Sequence, residues 1–333
     1  MPRQKQIGVL PLMEIDRKEL KRRAREAMGL ARPRFWVVAL VYFLMTTGLS
    51  YLPDQLIAFL TNGEAVITLS LFCTLLMSLY LVIVQFSYTL WALWTSRRMD
   101  PGLGTLLQGF SVAGRVIWME VLIYLRILGW SALIGMLVIS PLIYLLLMGS
   151  ALLAPLVLLV VAGMYAAMWA IMLRYALAPY LLADSPEAGA AAAVRRSAEL
   201  MRGWKWELFK LEFSFVGWSL LSLLLSVLAA VAVLWQAGFF QALAAFPVSE
   251  LPDLIANFAV WQTGVSADLL ELPQAQIELF TLYSSVSGGM WAALLTDLVT
   301  LPVFLWVTPY RAVSQAGFYD ARINLQRASA PPL

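Results

Sequence analysis

The sequence predicts an all-α fold: a polytopic membrane helix bundle of about six transmembrane helices, with further amphipathic helices on its cytoplasmic and outer sides. Three observations carry this expectation. The 333-residue chain is 61% hydrophobic and only 13% charged, with a mean hydropathy of +0.79; soluble domains carry about 25% charged residues. Six stretches are apolar over the roughly 20 residues that a spanning helix needs to satisfy its own backbone in lipid. The connections between them alternate between basic and non-basic.

Residues 1–34 hold ten Lys/Arg and four Asp/Glu, a balance of +6. Within them, 16–30 reads as a short helix. Asp16 is a good N-cap, Glu19 completes a capping box, and Ile15 and Leu20 take the staple positions. Leu20, Ala24, Ala27 and Met28 form a thin apolar stripe among Lys18, Lys21, Arg22 and Arg25. Either this helix lies on anionic headgroups or its charge is only a topology signal.

The membrane domain is expected over 35–314, with spans at about 35–51, 65–94, 122–148, 151–173, 209–235 and 289–310, and a tail at 315–333. Arg97, Arg98 and Arg115 lie in the second connection. Arg174, Arg195, Arg196, Arg202, Lys205 and Lys210 lie in the fourth. The first and fifth carry acids and no basic residue. By the positive-inside rule both termini are cytoplasmic. The net +3 is the sum of two oppositely charged faces, so no nucleic-acid partner is expected. Trp36, Trp91, Trp94, Trp204, Trp206 and Tyr310 are placed near the inner interface; Tyr51, Trp235 and Trp291 are placed near the outer one. The long charged start and a first apolar run of spanning length argue against a cleavable signal peptide.

A cytoplasmic helix is expected at 187–201 inside the segment 184–205, capped by Asp184 or Ser185, with Pro186 in its first turn and Gly203 after its end. The acidic outer segment 236–288 places Leu254, Ile255, Phe258 and Trp261, then Ile277, Phe280 and Tyr283, at helical spacing. It is either a lid or docking surface, or a long connection packed on its own bundle.

The chemistry available is narrow. The chain has no His and one Cys, which excludes His acid–base catalysis, His- or Cys-rich metal sites and an intrachain disulfide. No cofactor and no metal are expected. Cys73 reads as a small apolar residue. Ionisable residues at membrane depth are costly and mark function. The candidates are Asp297, the deepest, with Glu120, Arg126, Arg174 and Glu212 toward the cytoplasmic side. The arginines either snorkel or pair with the two glutamates in an inner cavity. Ala162, Ala166 and Ala170, beside Gly163 and Ala167, are expected to be a helix-contact stripe, as are Ser131/Gly135 and Gly289/Ala293.

One set of residues is more specific than composition. It comprises Asp184-Ser-Pro186, Ser197, Met201-Arg-Gly-Trp204, Phe209, Gly217-Trp218, Pro309-Tyr310 and Phe318-Tyr319, with Asp16 to Lys21 at the start. In this order, over nearly the whole chain, they resemble the bacterial integral-membrane family catalogued as domain of unknown function 975. The resemblance implies a multi-pass protein of the bacterial cytoplasmic (inner) membrane and no particular activity; the motif residues read as structural. Trp218 and Pro309 lie farther apart than in compact members, so the outer acidic segment reads as an elaboration.

The functional expectation is a non-catalytic scaffold or accessory protein. Its partners would be membrane lipids and a protein at the cytoplasmic basic face or at 236–288. The alternative is a transporter or lipid- or small-molecule-handling protein with a cavity near Asp297. An enzyme is not expected.

Overall fold

A computed structural model describes residues 15–52, 65–136, 140, 154–262 and 272–329. Among the described residues the fold is all-α. Six helical runs are long and apolar enough to cross a membrane: Phe35–Leu52, Thr68–Ser96, Thr105–Ile134, Leu159–Asp184, Val216–Gln236 and Met290–Ala328. The chain divides into two compact units, one of residues 1–215 and 306–333, the other of 216–305.

In the first unit, α1 is Arg17–Leu30. Asp16 caps it by accepting from the Lys18 amide at 2.9 Å. Glu19 does not close a capping box; its carboxylate accepts instead from Arg22 and Arg23 at 2.7 Å each. Leu20, Ala24, Ala27 and Met28 are buried in the protein core, and a Cβ at Gly317 would stand 3.5 Å from Leu20. The stripe is therefore filled by the protein's own helices and is not a face free for lipid.

Helix α2, Phe35–Phe43, passes through a π-turn at Leu44–Gly48. There the Thr46 hydroxyl donates to the Tyr42 carbonyl at 2.8 Å, competing with the helical ladder. Helix α3 is Ala65–Ser96. The short turns at Thr105–Gln108 and Gly109–Val112 press back on it, where the Gly109 amide donates to the Ser87 hydroxyl at 3.0 Å. Helix α4, Ala113–Ile134, starts well before residue 122. Arg115 and Glu120 do not end it, because straight-chain charged residues are good helix formers. The rest of the third expected span, 137–139 and 141–148, lies outside the described residues. Helix α5 is Ala154–Tyr175 and α6 is Ala178–Asp184.

The helix expected at 187–201 begins later than its sequence suggests. Pro186–Ala188 is a 3-10 turn, and α7 is Ala190–Leu200, entered from Gly189 at φ +81°. Asp184 does not cap it, because its carboxylate is engaged elsewhere. Helix α8, Lys205–Phe213, ends before the next long helix begins at Val216. The Ser214 hydroxyl turns back to the Leu211 carbonyl, and the Ser214 carbonyl accepts from Lys21 at 3.2 Å, so the fifth run breaks at Ser214–Phe215 rather than running from Phe209.

In the second unit, α9 is Val216–Gln236, α10 Phe239–Ala244, α11 Leu251–Trp261 and α12 Gln274–Ser287. Leu254, Leu279 and Phe280 form a small core closed by Phe239, Phe258 and Trp261. The helical spacing expected within 236–288 is present, with Ile255 left exposed.

Helix α13, Met290–Ser329, is one 40-residue helix. At 1.5 Å per residue it is about 60 Å long, twice the roughly 30 Å hydrocarbon core. Pro302 and Pro309 sit inside it without ending it, and no break marks a tail at 315. Residues 306–329 of this helix complete the first unit, whose core holds Trp91, Met119, Leu177, Met201, Leu211, Phe318 and Tyr319, each at most 1% exposed. Trp91 and Tyr310 are thus core residues, not interfacial anchors, whereas Trp36, Trp206, Trp235 and Trp291 are exposed. The Ala162/Ala166/Ala170 stripe is exposed as well, and nothing lies within 4 Å of a Cβ at Gly163, Gly129 or Gly135. Among the described residues these are not close-packed helix contacts.

Candidate functional site

The apolar run of α3 ends at Ser96, and the next residue is the hub of the first unit. Arg97 forks onto Asp184 with two hydrogen bonds of 2.6 and 2.7 Å and onto Asp320 with bonds of 2.7 and 3.1 Å. It joins the end of α3, the end of α6 and the far part of α13. Tyr319 donates to the same Asp184 carboxylate at 2.8 Å, and Ser96 donates to Asp320 at 3.3 Å. Hydrogen bonding to Asp184 and then to Asp320, against the opposing effect of burial, pushes the Arg97 guanidinium above its ordinary range. A planar fork between two carboxylates is the geometry that arginine forms and lysine cannot.

A second polar cluster lies on the same face of α13. The buried Glu212 carboxylate accepts from Arg311 at 2.6 Å and from the Gln315 amide. Tyr180 donates to Gln315 at 3.3 Å and stacks on Tyr319 with ring centroids 5.4 Å apart. Arg311, Gln315, Tyr319 and Arg322 recur at helical spacing, which is why one helix face carries both clusters. Arg322 closes the row: it donates to the Leu200 carbonyl at 2.9 Å and lies 4.2 Å over the Trp204 ring.

Beside Arg97 opens a cleft of about 570 Å³, lined by Asp184, Ser185, Arg196, Tyr319, Asp320, Asn324 and Arg327 among others. A smaller cleft of about 260 Å³ shares Leu181, Ser185 and Arg196 with it and adds Arg195 and Glu199. Arg97 and its two carboxylates together carry a net −1, and Arg196 and Arg327, both exposed, add two positive charges to the cleft lining.

Most of the remaining motif residues pack within this unit. The Ser197 hydroxyl donates to the Arg174 carbonyl at 3.1 Å and accepts from the Leu177 amide at 3.2 Å, satisfying the break between α5 and α6. Gly203 supplies the turn after α7 at φ +80°, a conformation that costs a residue with a Cβ about 1–2 kcal/mol. Met201 is fully buried. Phe209 stacks on Trp206 and meets Trp169 edge-on. Tyr310 accepts from Arg25 at 2.8 Å and packs edge-on against Phe215, over whose ring Lys21 stands at 4.2 Å. Burial, then the charges of Arg25 and Arg17, lowers the Lys21 ammonium below its usual range. Phe318 and Tyr319 are core residues, and Pro186 opens the 3-10 turn. Gly217 and Trp218 are exposed on α9 of the second unit.

The intramembrane candidates separate. Glu212 pairs with Arg311, not with Arg126 or Arg174. Those two arginines are exposed, and both stand over the Tyr175 ring, at 5.5 and 5.9 Å. Glu120 is half-buried on α4. Asp297 is half-buried in the second unit, and its backbone carbonyl accepts from Thr300 at 3.3 Å. Arg97, Asp320, Arg311 and Arg322 were not singled out by sequence. The available signals were an arginine directly after an apolar run and a polar stripe at helical spacing past residue 310.

A family model described as "Protein of unknown function (DUF975)" matches residues 13–325. No curated protein and no solved structure matches the chain.

Proposed function

The chain belongs to the DUF975 family, and for this member we propose a non-catalytic accessory or scaffold role: a multi-pass membrane protein that presents its first unit as a rigid docking platform. The observation that supports this reading is Arg97 bridging Asp184 and Asp320. The ionisable groups best placed for chemistry hold three chain segments together, leaving Arg196 and Arg327 at the cleft for recognition. The alternation of basic and acidic connections further supports a cytoplasmic-membrane location with both termini, and hence the end of the platform that carries the Arg97 cleft, on the cytoplasmic side.

The test uses the full chain, cross-linked in native membranes and extracted in mild detergent, alongside the same chain in liposomes. A stoichiometric partner that is lost on Arg196→Glu/Arg327→Glu, and liposomes no more permeable than empty ones, are the expected results. Solute uptake by the protein alone that Asp297→Asn abolishes would overturn the reading in favour of transport. Labelling of an engineered terminal cysteine from the outside of intact cells would overturn the orientation.

A further inference from the structure

Arg126 on α4 and Arg174 at the end of α5 stand 5.5 and 5.9 Å from the centre of the same buried ring, Tyr175, so their guanidiniums are at most about 11 Å apart. The two helices pack together here, with the Ser131 hydroxyl 3.3 Å from the Met168 sulfur. Neither arginine has an ion pair among the described residues. Glu212 is held by Arg311, and Glu120 is six positions from Arg126, off the spacing at which helix neighbours meet.

The surface around the pair is apolar. Leu125, Trp130, Trp169 and Met172 are all exposed. One turn from the arginines lie Gly129 and Ala170, both exposed, and nothing comes within 4 Å of a Cβ at Gly129. Two like charges on an apolar wall repel each other and are costly to desolvate. A phosphate removes both costs, because each guanidinium fork can donate two hydrogen bonds to its oxygens.

We propose that Arg126 and Arg174 hold the phosphate of an anionic phospholipid, with an acyl chain lying over Gly129 and Ala170 beside Trp130. The apolar floor continues into the candidate spans Thr105–Ile134 and Leu159–Asp184, which a lipid covers and a soluble phosphate does not. This site is separate from the cleft at Arg97 and does not depend on the scaffold reading.

Native mass spectrometry of the full chain in detergent, titrated with phosphatidylglycerol or phosphatidylcholine, tests it. The expected result is preferential retention of phosphatidylglycerol, weakened about tenfold or more in Arg126→Gln/Arg174→Gln and unchanged in Arg115→Gln. Inorganic phosphate at equal concentration is expected not to compete. Arg126→Lys/Arg174→Lys keeps the charge and guards against a folding defect; without the planar fork it should lose part of the preference. Equal retention by the Gln pair, no preference between the lipids, no loss in the Lys pair, or displacement by inorganic phosphate would each overturn the proposal.

Discussion

Arg322 seats its guanidinium 4.2 Å over the ring of Trp204 while donating to the Leu200 carbonyl. One side chain of α13 thereby fastens the end of α7 and the turn at Gly203. The residue that does this is 9% exposed. Trp204→Leu and Arg322→Met should each lower the melting temperature in detergent. A double-mutant cycle should return a coupling of about 0.5–2 kcal/mol. Additive effects would place the two residues outside any shared interaction.

Arg97→Gln leaves two carboxylates facing each other without their cation. The side chains of Arg97, Asp184 and Asp320 are 33%, 28% and 26% exposed, so solvent screens part of the loss. The expected destabilisation is about 1–3 kcal/mol, below the figure for a fully buried pair. Adding Asp184→Asn should restore part of it, because the uncompensated charge is then reduced. Arg97→Lys should behave nearer to Gln than to wild type, since an ammonium cannot fork onto both acids. Thermal unfolding of the four proteins in one detergent decides between these outcomes.

Gly109 is set by contact rather than by its own dihedrals. A Cβ there would lie 2.2 Å from the Ser87 hydroxyl oxygen and 2.8 Å from the Ile83 carbonyl oxygen. Gly109→Ala should push the turn off α3 and cost about 1–3 kcal/mol. Gly114, in α4 with nothing within 4 Å of its Cβ position, is the control. There Ala should be neutral or gain up to about 1 kcal/mol from helix propensity.

Glu19 gives a pH signature on α1. Hydrogen bonds from Arg22 and then Arg23 hold its carboxyl at about 2, against an ordinary value of 4.5. A lowered folded-state value means that its contribution is present above pH 4.5 and is lost as the pH falls toward 2. Melting temperatures of wild type and Glu19→Gln should therefore differ above pH 4.5 and converge in acid. The difference should shrink with added salt, since the pair is solvent-accessible.

Much of the fold was legible because its signals are local. Apolar runs of spanning length, the Asp16 cap and the turn at Gly203 each depend on a few adjacent residues. The breaks were less legible. Nothing adjacent to Ser214 announces that Lys21 takes its carbonyl, and nothing near Arg174 announces that Ser197 satisfies it. The site was less legible still. Asp297 stands out by its depth in an apolar run, whereas Arg97 reads as an ordinary basic residue in a connection. Asp184 reads as a helix cap, a common use of Asp before a helix, whereas its carboxylate lies on Arg97.

The sequence by itself determined the class: an all-α chain with six stretches long and apolar enough to cross a membrane, and without a histidine. Composition and hydropathy act over twenty neighbouring residues and need no tertiary contact. Only the tertiary structure decided which charges meet. Arg97 is bound by acids 87 and 223 positions away, and Arg126 and Arg174 converge on one ring from two helices. Such pairings are set by how helices pack, because a hydrogen bond or a stacked ring acts over a few ångströms in space, whatever the separation along the chain.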